Sequence, residues 1–480
     1  MRYLTSIFVW RTLSLLLFGL ILALTFFQPA STDPDLRIEA PRIAAAAALF
    51  LIAVALVPFL IRPVRVRRSR ALPLITATLS GALIAIPVAL NATGRQGAAG
   101  SIFRALHVVA GERNFGDIEL PLVWRLCARD GFNVYADMSC VRSLLGDDIS
   151  GVMNYGPGWL WFSAVNVSPS WSLAIGALML MATSTCLWFI STISTGRGQI
   201  ALFVASFGAS WLLLLERANI DAAIVWFAVV FYLGLRKSSS LVPWFLAASV
   251  IWILGTWKYY PFALVLILLS VWRRPGGKWP LLLFAMATAA YVFFMRGRFV
   301  EALVGNADQS EAYGTGLGRD SIARLMAGSS EAPTWALGLV LLAALATAFW
   351  GFTTARESRS VGFSRSMLAF TGASMVAIPV IVSGFGHQYK VALLVLAVPA
   401  LSRIQHRNSP IVWQSSTFAL IAAAAALVGL WGNPFAWSIL IVAATSFALG
   451  ASLPGLVHAT RGHTRQPLEA NASHRTAVAN

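Results

Sequence analysis

Charge is scarce in this chain: Asp, Glu, Lys and Arg make up 11% of its 480 residues, apolar residues 58%, and the mean hydropathy is +0.72. A soluble domain carries roughly one-quarter charged residues, so water is excluded as the main solvent. Cysteine is also rare, with Cys127, Cys140 and Cys186 alone, which is too few for a disulfide-built scaffold. The chain has no phosphate-cradling Gly-x-x-x-x-Gly-Lys loop, no His-Glu-x-x-His and no Cys-x-x-Cys. Nucleotide hydrolysis and zinc chemistry are therefore unsupported, and neither a metal nor a cofactor is expected. Asp147 and Asp148 leave two readings open, a weak cation site or a solvated turn.

Apolar runs near the ~20 residues needed to cross a bilayer recur along the whole chain. They are read at roughly 10–28, 42–62, 71–91, 168–192, 199–215, 219–235, 241–255, 260–272, 280–295, 334–352, 367–384, 388–403, 411–430 and 435–453. The expectation is an all-α polytopic membrane protein of about fourteen transmembrane helices with the lipid bilayer as its first partner. The opening run has no small-residue cleavage site after it and is read as a retained helix rather than a signal peptide. The short segments around Gly255–Pro261 suggest a broken or re-entrant element lining a cavity.

The net charge of +17 would point to nucleic acid in a soluble protein. Here the basic residues fall in short gaps between apolar runs, so no nucleic-acid partner is expected and membrane orientation explains them. The densest group, Arg62, Arg65, Arg67, Arg68 and Arg70, assigns its gap to the cytoplasm, and alternation then fixes every other gap. The gaps holding Arg197, Arg236–Lys237, Arg273–Lys278, Arg356–Arg365 and Arg403–Arg407 fall on the same side, as do both termini. This scheme puts 21 of the 36 Lys and Arg inside and 17 of the 19 Asp and Glu outside. Acid placement has little influence on insertion, so the skew points to a working surface on the outer face.

The chain divides into N-terminal membrane helices (1–92), a long outer loop (93–168), central membrane helices (169–295), a second outer loop (296–333), C-terminal membrane helices (334–453) and a polar tail (454–480) expected to be disordered. The first loop carries two amphipathic stretches, Ser101–Val109 and Asp117–Ala128, that suit helices lying on the membrane surface. Cys127 and Cys140 share that loop, where an oxidising compartment permits a disulfide; paired and free states both remain open. Cys186 reads as a buried structural thiol.

Ionisable groups near membrane depth cost about 2.5–3.5 kcal/mol each to hold, so they usually have a task or a partner. Asp117 and Glu119 sit between the two surface stretches, where a carboxylate is either a general base or a helix cap. Glu216, Arg217, Asn219 and Asp221 occupy an outer hairpin, as internal ion pairs or as a substrate pocket. Lys258, with Tyr259, Tyr260 and Pro261, either snorkels to the interface or holds a phosphate. His387, Tyr389 and Lys390 stand at the outer start of a late helix.

These residues carry a resemblance. An Asp between two surface helices, the segment Asn154-Tyr155-Gly156-Pro157-Gly158-Trp159 opening the next helix, the polar hairpin Glu216–Asp221, Lys258–Pro261 and His387–Tyr389 together resemble the C-type-fold membrane glycosyltransferases, in particular glycosyltransferase family 87, which includes polyprenyl-phosphate-mannose-dependent mannosyltransferases. The likeness spans about Gly111 to Pro399. It departs from the family pattern in two extra helices before the catalytic loop and in Glu216-Arg217 in place of Gly-Gln.

The resemblance implies an inverting, metal-free transfer of a sugar, mannose-like or another hexose or pentose, from a polyprenyl-phosphate donor to a glycan or glycolipid acceptor at the outer face of the cell membrane. Asp117 would be the base, with Glu119 its rival. Lys258, His387 and Tyr260 would meet the donor phosphate, and Glu119, Glu216, Arg217, Asn219, Tyr155 and Tyr389 would shape the sugar or acceptor pocket. Two other classes remain beside this one, a flippase or transporter of lipid-linked sugars and an envelope glycan ligase or polymerase. A transporter should show repeat symmetry and mid-membrane charges, whereas these charges gather at the rim.

Overall fold

A computed structural model describes residues 2–26, 67–106, 108, 114–146, 153, 155–164, 168–237, 240–312, 317–327, 332–358, 371–382, 388–404, 409–429 and 434–460. The expectations for a helix at 42–62, for Arg62, Arg65, Asp147, Asp148, Asn154 and His387, and for the tail beyond residue 460 lie outside these residues. Among the described residues the fold is all-helical.

Six helices are long and apolar enough to cross a bilayer: Leu72–Ala92, Pro169–Ile193, Trp279–Arg298, Thr334–Glu357, Pro410–Val428 and Trp437–Leu456. A seventh is added if Gly196–Ala205 and Ala209–Arg217, bent by 63° at their junction, count as one span. Shorter apolar helices at Ser6–Ile21, Ala222–Arg236, Val242–Trp257, Tyr260–Val271 and Thr371–Val382 accompany them. Every stretch read as a membrane helix from sequence and lying among the described residues is helical. Large apolar side chains point outward along these helices, among them Leu178, Met181, Met286, Phe293 and Phe294. Such a surface suits lipid, not water.

The bundle has two chemically distinct ends. At one, arginines from three separate gaps converge on helix C-termini, whose last carbonyls have no partner within their own helix. Arg68 donates from Nε to the Ser194 carbonyl at 2.7 Å, and Arg403 donates to that of Ile193 at 2.6 Å. Arg197 donates to the Ser402 and Ile404 carbonyls. Ser69 and Gln199 exchange two further hydrogen bonds beside them. At the other end, Asn91 donates to Asn114 at 2.8 Å, and Phe115 packs on Gly176.

Two helices measure the distance between these ends. Leu72–Ala92 runs from the Ser69 contact to the Asn91 contact, 21 residues or about 30 Å. The helix Ser172–Ile193 runs from Gly176 to the Arg68 contact, about 27 Å. Both spans match the hydrocarbon thickness of a bilayer.

Sequence and structure differ in three places. The apolar span ends at Arg298, close to the expected loop start at 296, but the helix itself continues to Ala312, because the run after Arg296 has no proline to stop it, and the further helix Arg319–Ala327 follows. The first surface helix is Gln96–Ala105 rather than 101–109, with Leu106 as its C-cap. The second surface helix is found as expected, at Gly116–Arg129, and a third helix, Ser139–Leu145, is too short to show periodicity in sequence. The segment opening with Tyr155-Gly156-Pro157 does not start the next membrane helix but forms the 3-10 turn Pro157–Ala164.

The segment Tyr260–Val271 is also a 3-10 helix. Its 12 residues at ~2.0 Å each cover about 24 Å, the same rise as the 16-residue α-helix Val242–Trp257 before it. This geometry lets a short sequence pair along the full length of its longer neighbour.

Gly176 is where the outer loop meets the bundle: a Cβ there would lie 2.2 Å from the Phe115 ring. Gly176→Leu is therefore expected to destabilise the purified protein by about 1–3 kcal/mol in thermal unfolding. Gly338→Ala, with nothing within 4 Å of the added methyl, is expected to leave stability unchanged or raise it.

Candidate functional site

Five stretches distant in sequence meet at the Asn91 end of the bundle. The first is the start of the helix Gly116–Arg129. Phe115 precedes it in the left-handed region (φ 56°, ψ 42°) and no side chain caps the helix, so Asp117 is not its cap. Its carboxylate instead faces the hairpin that follows Ala209–Arg217. There Ala218 turns the chain in the left-handed region (φ 46°), and Asn219 Oδ1 accepts the Asp221 amide at 3.0 Å in a side-chain-made turn.

That turn fixes which way the Asn219 amide faces. Its oxygen is held by the Asp221 N–H and by Lys258 Nζ at 2.7 Å, so its NH2 group must face the other way, toward Asp117 Oδ2 at 2.5 Å. Asn219 is fully buried. It joins the Asp117 carboxylate to the Lys258 ammonium with one rigid planar group.

Lys258 comes from the break between Val242–Trp257 and Tyr260–Val271. Its backbone is extended (φ −139°, ψ 124°), and Pro261 just beyond cannot donate a helix hydrogen bond. The side chain turns inward instead of snorkelling. Nζ lies 2.9 Å from Asp221 Oδ1 and over the rings of Tyr155 and Tyr389, at 4.9 and 5.3 Å from their centroids.

Tyr155 is positioned by the glycines after it. The Gly156 amide donates to the Trp257 carbonyl at 2.7 Å, and a Cβ at Gly156 would lie 2.1 Å from the Thr256 carbonyl oxygen. A Cβ at Gly158 would meet Thr256 Oγ1 at 2.3 Å. Only backbone without side chains fits there, so the loop seats its tyrosine directly on the lysine. Burial first, and the nearby Asp117 carboxylate second, push the Tyr155 phenol well above its ordinary pKa, so its hydroxyl stays protonated. Trp124, Trp159 and Trp257 continue an aromatic wall from it.

The rim is formed by Arg217, with Nη1 3.6 Å from Asp117 Oδ1 and Nε 3.4 Å from the buried Glu216. Its side chain is 30% exposed, against 12% for Lys258. Deeper in, Lys390 lies 5.2 Å over the Tyr260 ring. The cluster thus gathers three carboxylates, Asp117, Glu216 and Asp221, and three cations, Arg217, Lys258 and Lys390. Among the described residues no group of acidic, His or Cys side chains has the geometry to hold a metal ion.

Of the residues expected from sequence, Asp117, Glu216, Arg217, Asn219, Lys258, Tyr155 and Tyr389 come together, and Tyr260 lies in the adjoining layer. Glu119, two positions after Asp117 on an α-helix, is rotated by about 200° to another face. His387 lies outside the described residues. Cys127 and Cys140 are bonded to each other, tying the helix that carries Asp117 to Ser139–Leu145 within a small loop core of Trp124, Tyr135, Met153 and Tyr155.

Sequence reasoning missed the parts played by Asp221, read as a partner for Glu216 or Arg217, and Lys390. The Asn-x-Asp spacing of the hairpin was the available signal for Asp221. No family model, no curated protein and no solved structure matches the chain.

Removing one member of a buried ion pair strands the other, at about 3–5 kcal/mol, whereas removing both as a unit is close to neutral. Asp221→Leu alone is expected to lower unfolding stability by about that amount, and adding Lys258→Met should restore most of it. Equal losses in the single and double variants would contradict the pairing.

Proposed function

We propose that this protein is an inverting membrane glycosyltransferase that moves a sugar from a polyprenyl-phosphate donor to a hydroxyl of a glycan or glycolipid at the outer face of the cell membrane. The observation that carries the reading is the Asp117–Asn219–Lys258 bridge: a partly exposed carboxylate and a buried cation held a fixed distance apart at one end of a membrane bundle. The arginine-lined end faces the cytoplasm in this reading, as the charge bias of membrane insertion favours, and the site therefore opens outward. The Cys127–Cys140 bond beside the site supports an oxidising compartment. In this reading the bent pair, the five shorter apolar helices and the apolar runs at 42–62 and 388–403 bring the six long spans to about fourteen, with both termini inside and the C-type arrangement that the sequence resembles.

In the transfer, Asp117 takes the proton of the acceptor hydroxyl as its oxygen bonds to the anomeric carbon on the face opposite the phosphate. The bond from that carbon to the phosphate oxygen breaks, and its electron pair leaves with polyprenyl phosphate. The leaving group needs no proton because a phosphate is already stable as an anion, so one carboxylate suffices where glycosidases use two. The cationic members of the cluster stabilise the charge that grows on the phosphate, in a site whose burial strengthens each interaction. The partly exposed Trp159, at the edge of the buried Trp124–Tyr155 wall, offers flat apolar surface to a sugar ring, and His387 enters on the resemblance alone.

Transfer from polyprenyl-phosphate sugars in purified membranes is expected to fall by about 10²–10⁴-fold in Asp117→Asn, at normal expression and with the disulfide intact. Full activity in that variant would remove Asp117 as the base.

A further inference from the structure

Lys258 and Arg217 are both cations beside Asp117, but the structure holds them differently. The Lys258 ammonium is caged: it donates to Asn219 Oδ1 at 2.7 Å, pairs with the Asp221 carboxylate at 2.9 Å, and the Tyr155 and Tyr389 rings cover it. Its charge is matched by a carboxylate whose side chain is 1% exposed. A donor phosphate reaching Lys258 would have to displace Asp221 and leave that carboxylate buried without its cation, a loss that a phosphate contact does not recover.

Arg217 differs on each count. Its contacts with Glu216 and Asp117, at 3.4 and 3.6 Å, are longer than the ~2.7–2.9 Å of a tight charge-assisted bond. It is more exposed, it stands at the rim beside the proton acceptor, and its planar fork suits a phosphate.

We propose that Arg217 is the cation that takes the departing phosphate, and that Lys258 is a positioning residue which sets Asp117 through Asn219. This rests on the glycosyltransferase reading and divides its cationic half into two roles. Lys258 fixes the Asn219 oxygen, Asn219 turns its NH2 to Asp117 Oδ2, and Asp117 is left with Oδ1 directed at the rim. When phosphate draws Arg217 away from Oδ1, that oxygen becomes the one free to accept the hydroxyl proton. Donor binding and base activation then occur in the same movement of one side chain.

The test uses the full-length protein in lipid nanodiscs, with polyprenyl monophosphate and the matching polyprenol as probes. The wild type should bind the phosphate more tightly than the alcohol by roughly ten- to a hundredfold, the range of a hydrogen bond to a charged group. Arg217→Gln should bring the two affinities together. The paired variant Lys258→Met/Asp221→Leu, which removes the buried ions as a unit, should keep the preference for phosphate to within about threefold. In transfer assays the same pair should lower kcat with little change in donor KM, Arg217→Gln should raise donor KM, and Lys258→Arg should recover part of the lost kcat.

A preference that survives Arg217→Gln, or one that vanishes in the Lys258/Asp221 pair, overturns the division of roles while leaving the phosphate reading in place. Equal binding of phosphate and alcohol by the wild type overturns the phosphate reading and the division with it.

Discussion

One buried amide governs the site. Asn219 accepts from the Asp221 backbone and from Lys258, and donates to Asp117, so three otherwise separate pieces of chain share a single rigid group. The need for such an arrangement follows from where the charges are. Ions at membrane depth are expensive, and each must find a partner or a task. Asp221 and Lys258 satisfy one another, Asn219 satisfies both neighbours, and Asp117 and Arg217 remain at the edge with looser contacts. Buried and exposed charges are thereby sorted by depth.

The rest of the fold serves that sorting. The helices Leu72–Ala92 and Ser172–Ile193 set the arginine-lined end about a bilayer thickness from the end that holds the mixed charge cluster. The outer loop then folds as a small core closed by the Cys127–Cys140 bond, and this core fixes the helix whose first turn holds Asp117. Phe115 against Gly176 anchors the same turn to the membrane bundle, and the glycines at 156 and 158 let the Tyr155 segment lie flat on the end of Val242–Trp257. Backbone without side chains at three positions is what brings loop and bundle into contact.

Much of this was legible in the sequence, and the limits have physical causes. Apolar runs mark membrane helices because lipid demands internal hydrogen bonding, so each described run came out helical. Glu216, Arg217, Asn219 and Lys258 stood out because polar groups are rare in this chain and these fall at the ends of apolar runs, and Asp117 because it lies between two amphipathic stretches. What sequence does not encode is direction. Periodicity cannot say that Lys258 turns inward to Asp221 rather than outward to the interface, since both outcomes fit the same neighbouring tyrosines. Nor does it show that Trp279–Ala312 passes straight through the expected loop boundary, because helix propensity continues after hydrophobicity stops. Glu119 looked equivalent to Asp117 in sequence and is separated from it only by the turn of the helix.

The most direct measurement of the central claim is an experimental structure of the protein in a lipid nanodisc, refined finely enough to place the Asn219 side chain. The expected result is Asn219 within hydrogen-bonding reach, about 3.5 Å or less, of both the Asp117 carboxylate and the Lys258 ammonium. A structure with either partner beyond that reach, and Lys258 directed to the lipid interface, would contradict it.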